Sequence, residues 1–387
     1  MRAIIVVNAG SSSLKVAVYG CEEEDARLLL RARVERRGSR LELSAEDGGG
    51  AAVQSPVALD ASADAFEYVD AWLRRQQPHL DVAGYGHRIV HGGPEFDAPV
   101  VVDASVLERL EALTELAPLH QPHNLAPIRA AAAAHPQAVQ IACFDTAFHR
   151  GHAPEVDHFA LPPSFYAQGV RRYGFHGLSF QSIASSLPTV APHVAEGRVV
   201  VAHLGNGASL CAMRGRRSVD TTMSFSALDG LVMGTRCGSI DPGVLLYLLG
   251  TRGMRLEELE RLLYAGSGLL GLSGLSSDMR DLLASPDASA RLAVDAFVLQ
   301  AQRQIAAMAA VLGGIDAIVF TGGIGENSVA IRERIGRACA WLGVEMDEVA
   351  NARGGPCITR QKSPVSGWVI PTDEEGVIAE AARAILR

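Results

Sequence analysis

The sequence predicts an α/β fold built from two similar halves. Short apolar runs with the length of buried strands alternate with helical segments along the 387 residues. A strand, a turn of small residues and a second strand occur at the N-terminus and again near residue 200. The repeated plan indicates an internal duplication, and a chain of this length is more often two domains than one.

The first strand pair spans residues 4–7 and 14–19, joined by the polar turn 8–13. The backbone N–H groups and hydroxyls of the turn suit phosphate oxygens, and Lys15 adds a positive charge beside them. Only two of the 35 basic residues are lysines, Lys15 and Lys362. A lysine beside this turn therefore favours a functional role over a chance occurrence. A plain β-hairpin without a ligand is the alternative.

Three charged side chains lie next to predicted strands or in glycine-rich segments. Asp145 follows the apolar strand 139–144, at the edge where ligands bind in open α/β sheets, although a cap or turn residue is the alternative. Arg88 and Arg236 lie in glycine-rich segments, where the guanidinium fork can approach a carboxylate or phosphate. The alternative for each arginine is a surface salt bridge.

Three histidines, His120, His176 and His203, lie among small or aromatic residues and lack metal-binding spacing. Each suits a hydrogen bond to an anion better than zinc ligation, and a buried structural histidine is the alternative.

The second strand pair spans residues 198–202 and 210–213, and the turn between them contains His203. A long helix over 291–312 is expected to stop at Gly313 and Gly314, followed by a strand at 317–320. The glycine-rich turn 322–328 then leads into a helix from about Val329, a setting where nucleotides dock. Asn327 or Ser328 serving only as a helix cap is the alternative.

The last helix is predicted to open at residues 372–375. Thr372 and Glu375 have the spacing of a capping box, so Glu375 is predicted to be structural. Glu374 is then the acid available to a ligand or to Mg²⁺.

Composition narrows the function classes. A net charge of −8 argues against nucleic acid or an anionic membrane as the main partner. The six cysteines form no CxxC pair or zinc spacing, which predicts reduced thiols in a cytoplasmic protein. Because the N-terminus enters a predicted strand at once, no signal peptide is expected. No transmembrane helix is expected either, since the sequence has no apolar run of sufficient length.

Six ordered motifs together resemble the acetate kinase family, of the sugar kinase and actin superfamily. They are NAGSSSLK at 8–15, GHRIVHGG at 86–93, FDTAFH at 144–149, YGFHGLS at 173–179, HLGNGASL at 203–210, and GTR with DPG within 234–243. TGGIGENS at 321–328 and TDEE at 372–375 complete the set, so the resemblance covers nearly the whole chain.

The resemblance implies reversible transfer of the ATP γ-phosphoryl group to acetate, with Mg²⁺ or alternatively Mn²⁺. Because a carboxylate is already a nucleophile, direct in-line transfer without a phosphoenzyme is expected. A propionate kinase of the same family is the near alternative. An actin-like nucleotide-binding module without kinase activity is the alternative from another class.

The resemblance also implies roles for residues at matching positions. The metal would be served by Asn8 and Glu374. The catalytic residues would be Asp145, Arg88, Arg236, His176 and His120. Acetate would be bound by Arg88, Val90, Leu119, Phe175 and Ala227. ATP would be bound by Ser11, Ser13, Lys15, His203, Gly205, Asn206, Gly207, Asp278, Met279, Arg280, Gly323, Ile324, Gly325 and Asn327.

The architecture implied is two duplicated ribonuclease H-like domains of the actin-like ATPase type. Each would contain a mixed five-stranded sheet flanked by helices, with a cleft between the domains. Residues 1–149 and 375–387 would form the first domain, and 150–374 a nucleotide-binding domain through which a homodimer forms. Ala227 stands where the family usually has proline, which predicts a roomier acyl pocket.

Overall fold

The computed structural model describes residues 2–10, 13–22, 26–37, 40–59 and 64–387. Its contacts divide into one unit of Met1–Phe148 with Asp373–Arg387 and a second unit of His149–Thr372. Glu374, expected at the end of the second domain, therefore lies in the first unit. The physical reason is that the last helix begins at Glu374 and packs on the first sheet.

The elements of the first unit, up to residue 148, follow in chain order. They are β1 (Arg2–Ala9), β2 (Ser13–Gly20), β3 (Arg27–Arg37), β4 (Arg40–Asp47), β5 (Ala52–Leu59), α1 (Ala65–Gln76), β6 (Asp81–Ile89), β7 (Val100–Val101), α2 (Ala104–Ala112), α3 (Gln121–Ala134) and β8 (Val139–Phe144).

The elements of the second unit continue the same numbering. They are α4 (Pro154–Asp157), α5 (Pro163–Ala167), α6 (Gly177–Val190), β9 (Arg198–Leu204), β10 (Ala208–Arg214), β11 (Arg217–Thr221), α7 (Pro242–Gly250), α8 (Leu256–Ala265), α9 (Gly268–Ser273), α10 (Met279–Ala284), α11 (Ala288–Leu312), β12 (Ala317–Thr321), α12 (Gly322–Asn327), α13 (Val329–Ala338), α14 (Glu348–Ala352) and β13 (Ser366–Val369). The chain then returns to the first unit as α15 (Glu374–Leu386).

The two sheets share one topology. In the first unit, β1 pairs antiparallel with β2, β2 antiparallel with β3, β1 parallel with β6, and β6 parallel with β8. In the second unit, β9, β10, β11, β12 and β13 repeat this pattern in the order β11-β10-β9-β12-β13. The internal duplication predicted from the two strand pairs is confirmed at the level of strand order.

The expectation of five strands in each sheet is wrong for the first unit, whose sheet has the order β5-β4-β3-β2-β1-β6-β8-β7. The shared five strands are extended by β4 and β5 at one edge and by the two-residue β7 at the other. Leucines of β3 and β4 belong to the same apolar core as residues of β1 and β2. Extending the sheet beyond β3 therefore buries more apolar surface.

Helix α15 packs on β1, β6 and β8. Its buried face contains Ile378, Ala379 and Ala382. A Cβ atom on Gly86 of β6 would lie 2.5 Å from Cγ2 of Ile378, so only glycine permits this close approach. The close approach sets the start of α15 beside the end of β6, where Arg88 lies.

All six cysteines lie in the described part of the chain and are free thiols. Among the described residues, no helix combines the length and the apolar character that a membrane span requires.

Candidate active site

The first group of candidate residues lies at one edge of the first sheet. Asn8, Arg88 and Asp145 stand at or just after the ends of β1, β6 and β8, which are neighbouring parallel strands. The carboxyl ends of parallel strands meet at the same edge, where open α/β sheets bind ligands. The structure thus brings together three residues that are 80 and 57 positions apart in the chain.

Arg88 is held in a fixed orientation by Asp145. Its Nε lies 3.1 and 3.2 Å from the two carboxylate oxygens, and its Nη2 donates to Oδ2 at 2.7 Å. Its Nη1 donates to Oδ1 of Asn8 at 3.2 Å. The Asp145 side chain is only 2% exposed, whereas that of Arg88 is 21% exposed, so the guanidinium remains accessible to a ligand.

The group carries more negative than positive charge. Oε2 of Glu374 lies 3.9 Å from Nε of Arg88, and Oε1 of Glu375 accepts a hydrogen bond of 3.4 Å from Nδ2 of Asn8. Burial alone would lower the pKa of Arg88, but the carboxylates of Asp145 and Glu374 outweigh burial and raise it. The carboxylates of Asp145, Glu374 and Glu375 thus all act on the guanidinium of Arg88.

The predicted capping box at the start of the last helix is wrong. Helix α15 begins at Glu374, and the side chain of Asp373, not Thr372, caps it by accepting from the backbone N–H of Gly376. The helix starts one residue later than the capping box requires. Glu375 is therefore not a capping residue, and its carboxylate contacts Asn8 instead.

Asn124 of α3 joins two of the strand ends. Its Oδ1 accepts from the backbone N–H of Val90 at 2.9 Å, and its Nδ2 donates to the carbonyl of Ala9 at 2.7 Å. The side chain is buried, at 3% exposure. Asn124 thereby fixes the backbone immediately after Asn8 and shortly after Arg88.

The second group lies in the second unit, around the turn between β9 and β10. His176 and His203 stack with their ring centroids 4.4 Å apart. Nδ1 of His176 is hydrogen-bonded to Oγ of Ser209 at 2.9 Å, and Nδ1 of His203 to Oγ of Ser179 at 2.8 Å. His176 has a left-handed backbone, with φ of 57°, which a residue with a side chain adopts at a cost.

Gly207 lies between His176 and Arg236. A Cβ atom added to Gly207 would lie 3.1 Å from Nε2 of His176 and 3.2 Å from Nη2 of Arg236. The Nη1 of Arg236 donates to the carbonyl of Ala227 at 2.8 Å, which orients the guanidinium. An imidazole and a guanidinium therefore flank one point on the turn, an arrangement suited to a phosphoryl group or a carboxylate.

The expected turn at 322–328 forms the short helix α12 instead, ending at Asn327. The carboxylate of Glu326 folds back and accepts from the backbone N–H of Gly322 at 2.9 Å, which stabilises the helical turn. Asn327 donates to the carbonyl of Gly323, and Ser328 caps the next helix, α13. The capping role considered for Ser328 is therefore confirmed.

The fully buried Arg332 of α13 supports this segment from behind. It donates to the carbonyls of Gly325 and Glu326, and to the side-chain and backbone oxygens of Asn351. Burial lowers its pKa. Because these acceptors are neutral, Arg332 positions the α12 backbone without neutralising an acid.

The remaining predicted residues divide between the two units. Val90, Leu119, His120, Ser13 and Lys15 lie in the first unit, and Ser11 lies outside the described residues. Phe175, Ala227, Gly205, Asn206 and Ile324 lie in the second.

Lys15 pairs across the β1–β2 ladder with Asn8, so both side chains are on one face of the sheet. Asp278 caps α10 and forms an ion pair with Arg280, while Met279 between them is buried.

Sequence reasoning missed Asn124, Arg332, Ser179 and Ser209. Ser179 belongs to the motif at 173–179 and Ser209 to the motif at 203–210. Ser209 is also the one polar residue in the buried stretch 208–213 of β10, so the sequence contained a signal for it. Arg332 is one of three arginines in α13, and only its burial distinguishes it.

The chain is similar to known proteins over its whole length. Residues 3–380 match the model of the acetokinase family. An acetate kinase of Nitrobacter hamburgensis is 49% identical, with 100% of this chain and 96% of that protein covered. A solved propionate kinase from Francisella tularensis superposes with a TM-score of 0.91 at 33% identity, covering 98% of this chain and 99% of that one. The acetate kinase of Porphyromonas gingivalis gives a TM-score of 0.87 at 32% identity, with both chains fully covered.

Replacing Asn124 by leucine tests its role at the strand ends. The buried N–H of Val90 and carbonyl of Ala9 would lose their partner, so the free energy of unfolding should fall by about 2–5 kcal/mol in urea denaturation. The same change at the exposed Asn327 should cost less than about 0.5 kcal/mol. An Asn124→Leu variant as stable as the wild type would contradict this role.

Proposed function

The chain belongs to the acetokinase family, and from this premise we propose that it transfers the γ-phosphoryl group of ATP to the carboxylate of acetate, reversibly. The products are acetyl phosphate and ADP. The observation that best supports the proposal is the pair of oriented arginines, Arg88 held by Asp145 and Arg236 held by the Ala227 carbonyl. A nucleotide-binding module without an acid substrate needs no site for a carboxylate.

The main obstacle to this reaction is electrostatic. An acetate oxygen attacks the γ-phosphorus and the bond from that phosphorus to the leaving ADP oxygen breaks, so one anion must approach another. No proton has to be removed, because the carboxylate is already a nucleophile. Arg88 and Arg236 offset the repulsion, and His176 donates a hydrogen bond to the transferring group. We assign Asp145 to orienting Arg88, and we keep His120 as a candidate catalytic residue of the first unit.

A divalent cation fits the first group of residues. Among the described residues there is no cluster of three His, Cys, Asp or Glu side chains that could hold a metal alone. Mg²⁺ does not need one, because it commonly takes one or two protein oxygens together with water and substrate phosphates. Asn8 and Glu374 supply such oxygens. When bound, Mg²⁺ would neutralise charge on the phosphates of ATP.

The nucleotide is assigned mainly to the second unit. We propose that His203, Gly205, Asn206 and Gly207 bind the phosphates, together with Ser11, Ser13 and Lys15 of the first unit. The adenosine would contact α12 and the start of α10, through Gly323, Ile324, Gly325, Asn327, Asp278, Met279 and Arg280. The assignment of adenosine to α12 is supported by the glycine-rich backbone of this helix, whose carbonyls at Gly325 and Glu326 accept hydrogen bonds from Arg332.

The acyl group is assigned to Val90, Leu119, Phe175 and Ala227. Ala227 is smaller than the proline usual in the family, so propionate is the second candidate substrate. One additional methylene changes discrimination by only about 1–3 kcal/mol, so the preference between the two acids would be graded.

We also propose a homodimer through the second unit, in a reducing compartment such as the cytoplasm. Helix α7 contains four leucines, a valine and a tyrosine, and none of its residues is buried within the described chain. Leu246 is 72% exposed and Tyr247 50% exposed. An apolar helix without a partner is characteristic of an interface, and a second copy of the chain would cover it. The six free cysteines support the proposal of a reducing compartment, where thiols stay unpaired.

Trapping the product as acyl hydroxamate tests the activity. With ATP and Mg²⁺, the wild type should form hydroxamate from acetate, and Arg236→Ala should lower kcat by about 10³-fold, since a cation on the transferring group is lost. Arg334→Ala is the matched control, because Arg334 pairs with Asp295 in an exposed ion pair of the same unit. No hydroxamate from acetate or propionate, with ATP still bound, would favour a nucleotide-binding module without kinase activity.

Substitution of Ala227 tests the acyl pocket. Ala227→Pro should fill the space available to a longer acid and lower the ratio of kcat/KM for propionate over acetate by about tenfold. Ala227→Gly, which leaves the space open, should keep the wild-type ratio or raise it. An unchanged ratio in Ala227→Pro would show that Ala227 does not border the acyl group.

A further inference from the structure

Two buried serines contact the stacked histidines in the same way. The hydroxyl of Ser209 lies 2.9 Å from Nδ1 of His176, and that of Ser179 lies 2.8 Å from Nδ1 of His203. Both serines have 0% exposure. Ser209 lies on β10 and Ser179 in the first turn of α6, so two unrelated elements provide the same contact.

Which group donates in each serine–histidine hydrogen bond follows from how many partners the serine hydroxyl has. Within the part of the chain that the structure describes, neither hydroxyl has a second hydrogen-bond partner. If Nδ1 carried a proton and donated it, the serine proton would be buried without an acceptor, which is costly. The hydroxyl therefore donates to Nδ1, and the ring proton resides on Nε2. An imidazolium would meet the same penalty, because it also carries an N–H at Nδ1.

The Nε2 atoms face the turn that the proposed function assigns to phosphate. Nε2 of His176 lies 3.1 Å, and Nη2 of Arg236 3.2 Å, from the position of a Cβ atom on Gly207. Nε2 of His203 lies 3.9 Å from the corresponding position on Gly205. Both glycines belong to the single turn between β9 and β10.

We propose that Ser209 and Ser179 are positioning residues that hold His176 and His203 in the tautomer with the proton on Nε2. This inference rests on the proposed function. Each ring then presents an N–H donor to the phosphoryl oxygens, where the other tautomer would present a lone pair that repels them. A nucleophilic Nε2 would need that lone pair, so the serines also disfavour a phosphohistidine. Neither imidazole forms a covalent bond or transfers a proton in this reaction: one O–P bond forms and one O–P bond breaks.

The tautomers are measured directly by nitrogen NMR of the full-length enzyme labelled with ¹⁵N-histidine. In the wild type, Nδ1 of both rings should show the chemical shift of an unprotonated ring nitrogen. The two signals are assigned by their loss in His176→Gln and His203→Gln. In Ser209→Ala, the Nδ1 signal of His176 should move towards the protonated value, while that of His203 stays in place. Ser179→Ala should give the converse result, and it provides the same reading if Ser209→Ala does not fold.

Kinetics separate tautomer control from a general structural role. Ser209→Ala should lower kcat about tenfold, with KM for acetate unchanged within about twofold, because a donor needed in the transition state is lost part of the time. Ser209→Thr keeps the hydroxyl and should restore both the NMR signal and kcat. Ser186→Ala is the matched control, since that hydroxyl donates only to a helix carbonyl of α6.

A protonated Nδ1 in the wild type would overturn the proposal, as would an unchanged spectrum and kcat in both alanine variants. The NMR reading does not depend on activity. An enzyme that forms no hydroxamate but shows the expected tautomers would contradict the proposed function and leave the serine contacts established.

Discussion

The ion pair between Arg88 and Asp145 is the interaction on which the candidate site in the first unit depends. Asp145 is almost fully buried, and burying a carboxylate is costly unless it is paired and hydrogen-bonded. Its two oxygens receive Nε and Nη2 of Arg88, so the guanidinium has one orientation and its Nη1 lies at Asn8. A buried pair of this kind contributes little net stability compared with apolar packing. Its value here is geometric, because it fixes a cation at the edge of the sheet.

The same structural plan places the second group of residues. Asn8 lies near the end of β1 and His203 near the end of β9, and these two strands occupy the same place in the shared sheet order. Each pairs antiparallel with the strand that follows it in the chain. The duplicated topology thus gives two sheet edges with related geometry. The side chains differ, with carboxylates and Arg88 on the first edge and histidines with Arg236 near the second.

Much of this organisation could be predicted from the sequence, because it depends on local patterns. The strand at Val139–Phe144, both strand pairs and the end of α11 at Leu312 follow from apolar runs bounded by small polar residues or glycine. The added strands β4 and β5 were not predicted, although each pairs with the strand that precedes it in the chain. Neither contains an apolar run like that of β1, and the leucines of β4 join the core only through pairing with β3. The start of α15 was predicted one residue too early, since Thr372 and Asp373 are both good caps and only packing selects between them.

The residues that support the site were harder to predict. Asn124 contacts residues 34 and 115 positions away in the chain, and Ser209 lies 33 positions from His176. Such contacts exist only after the sheets have formed, and the residue type alone does not distinguish Arg332 from the exposed arginines of the same helix. Motifs therefore located the groups proposed to touch the substrate, whereas the groups that orient them required the structure.

The central claim is a single, direct transfer of the phosphoryl group between ATP and the carboxylate, with the histidines acting only as hydrogen-bond donors. The stereochemistry at phosphorus tests it most directly, using ATP whose γ-phosphoryl group is made chiral with oxygen isotopes. One in-line displacement predicts that acetyl phosphate forms with inverted configuration. Retention of configuration would require two displacements through a phosphorylated residue of the enzyme, and would contradict the account.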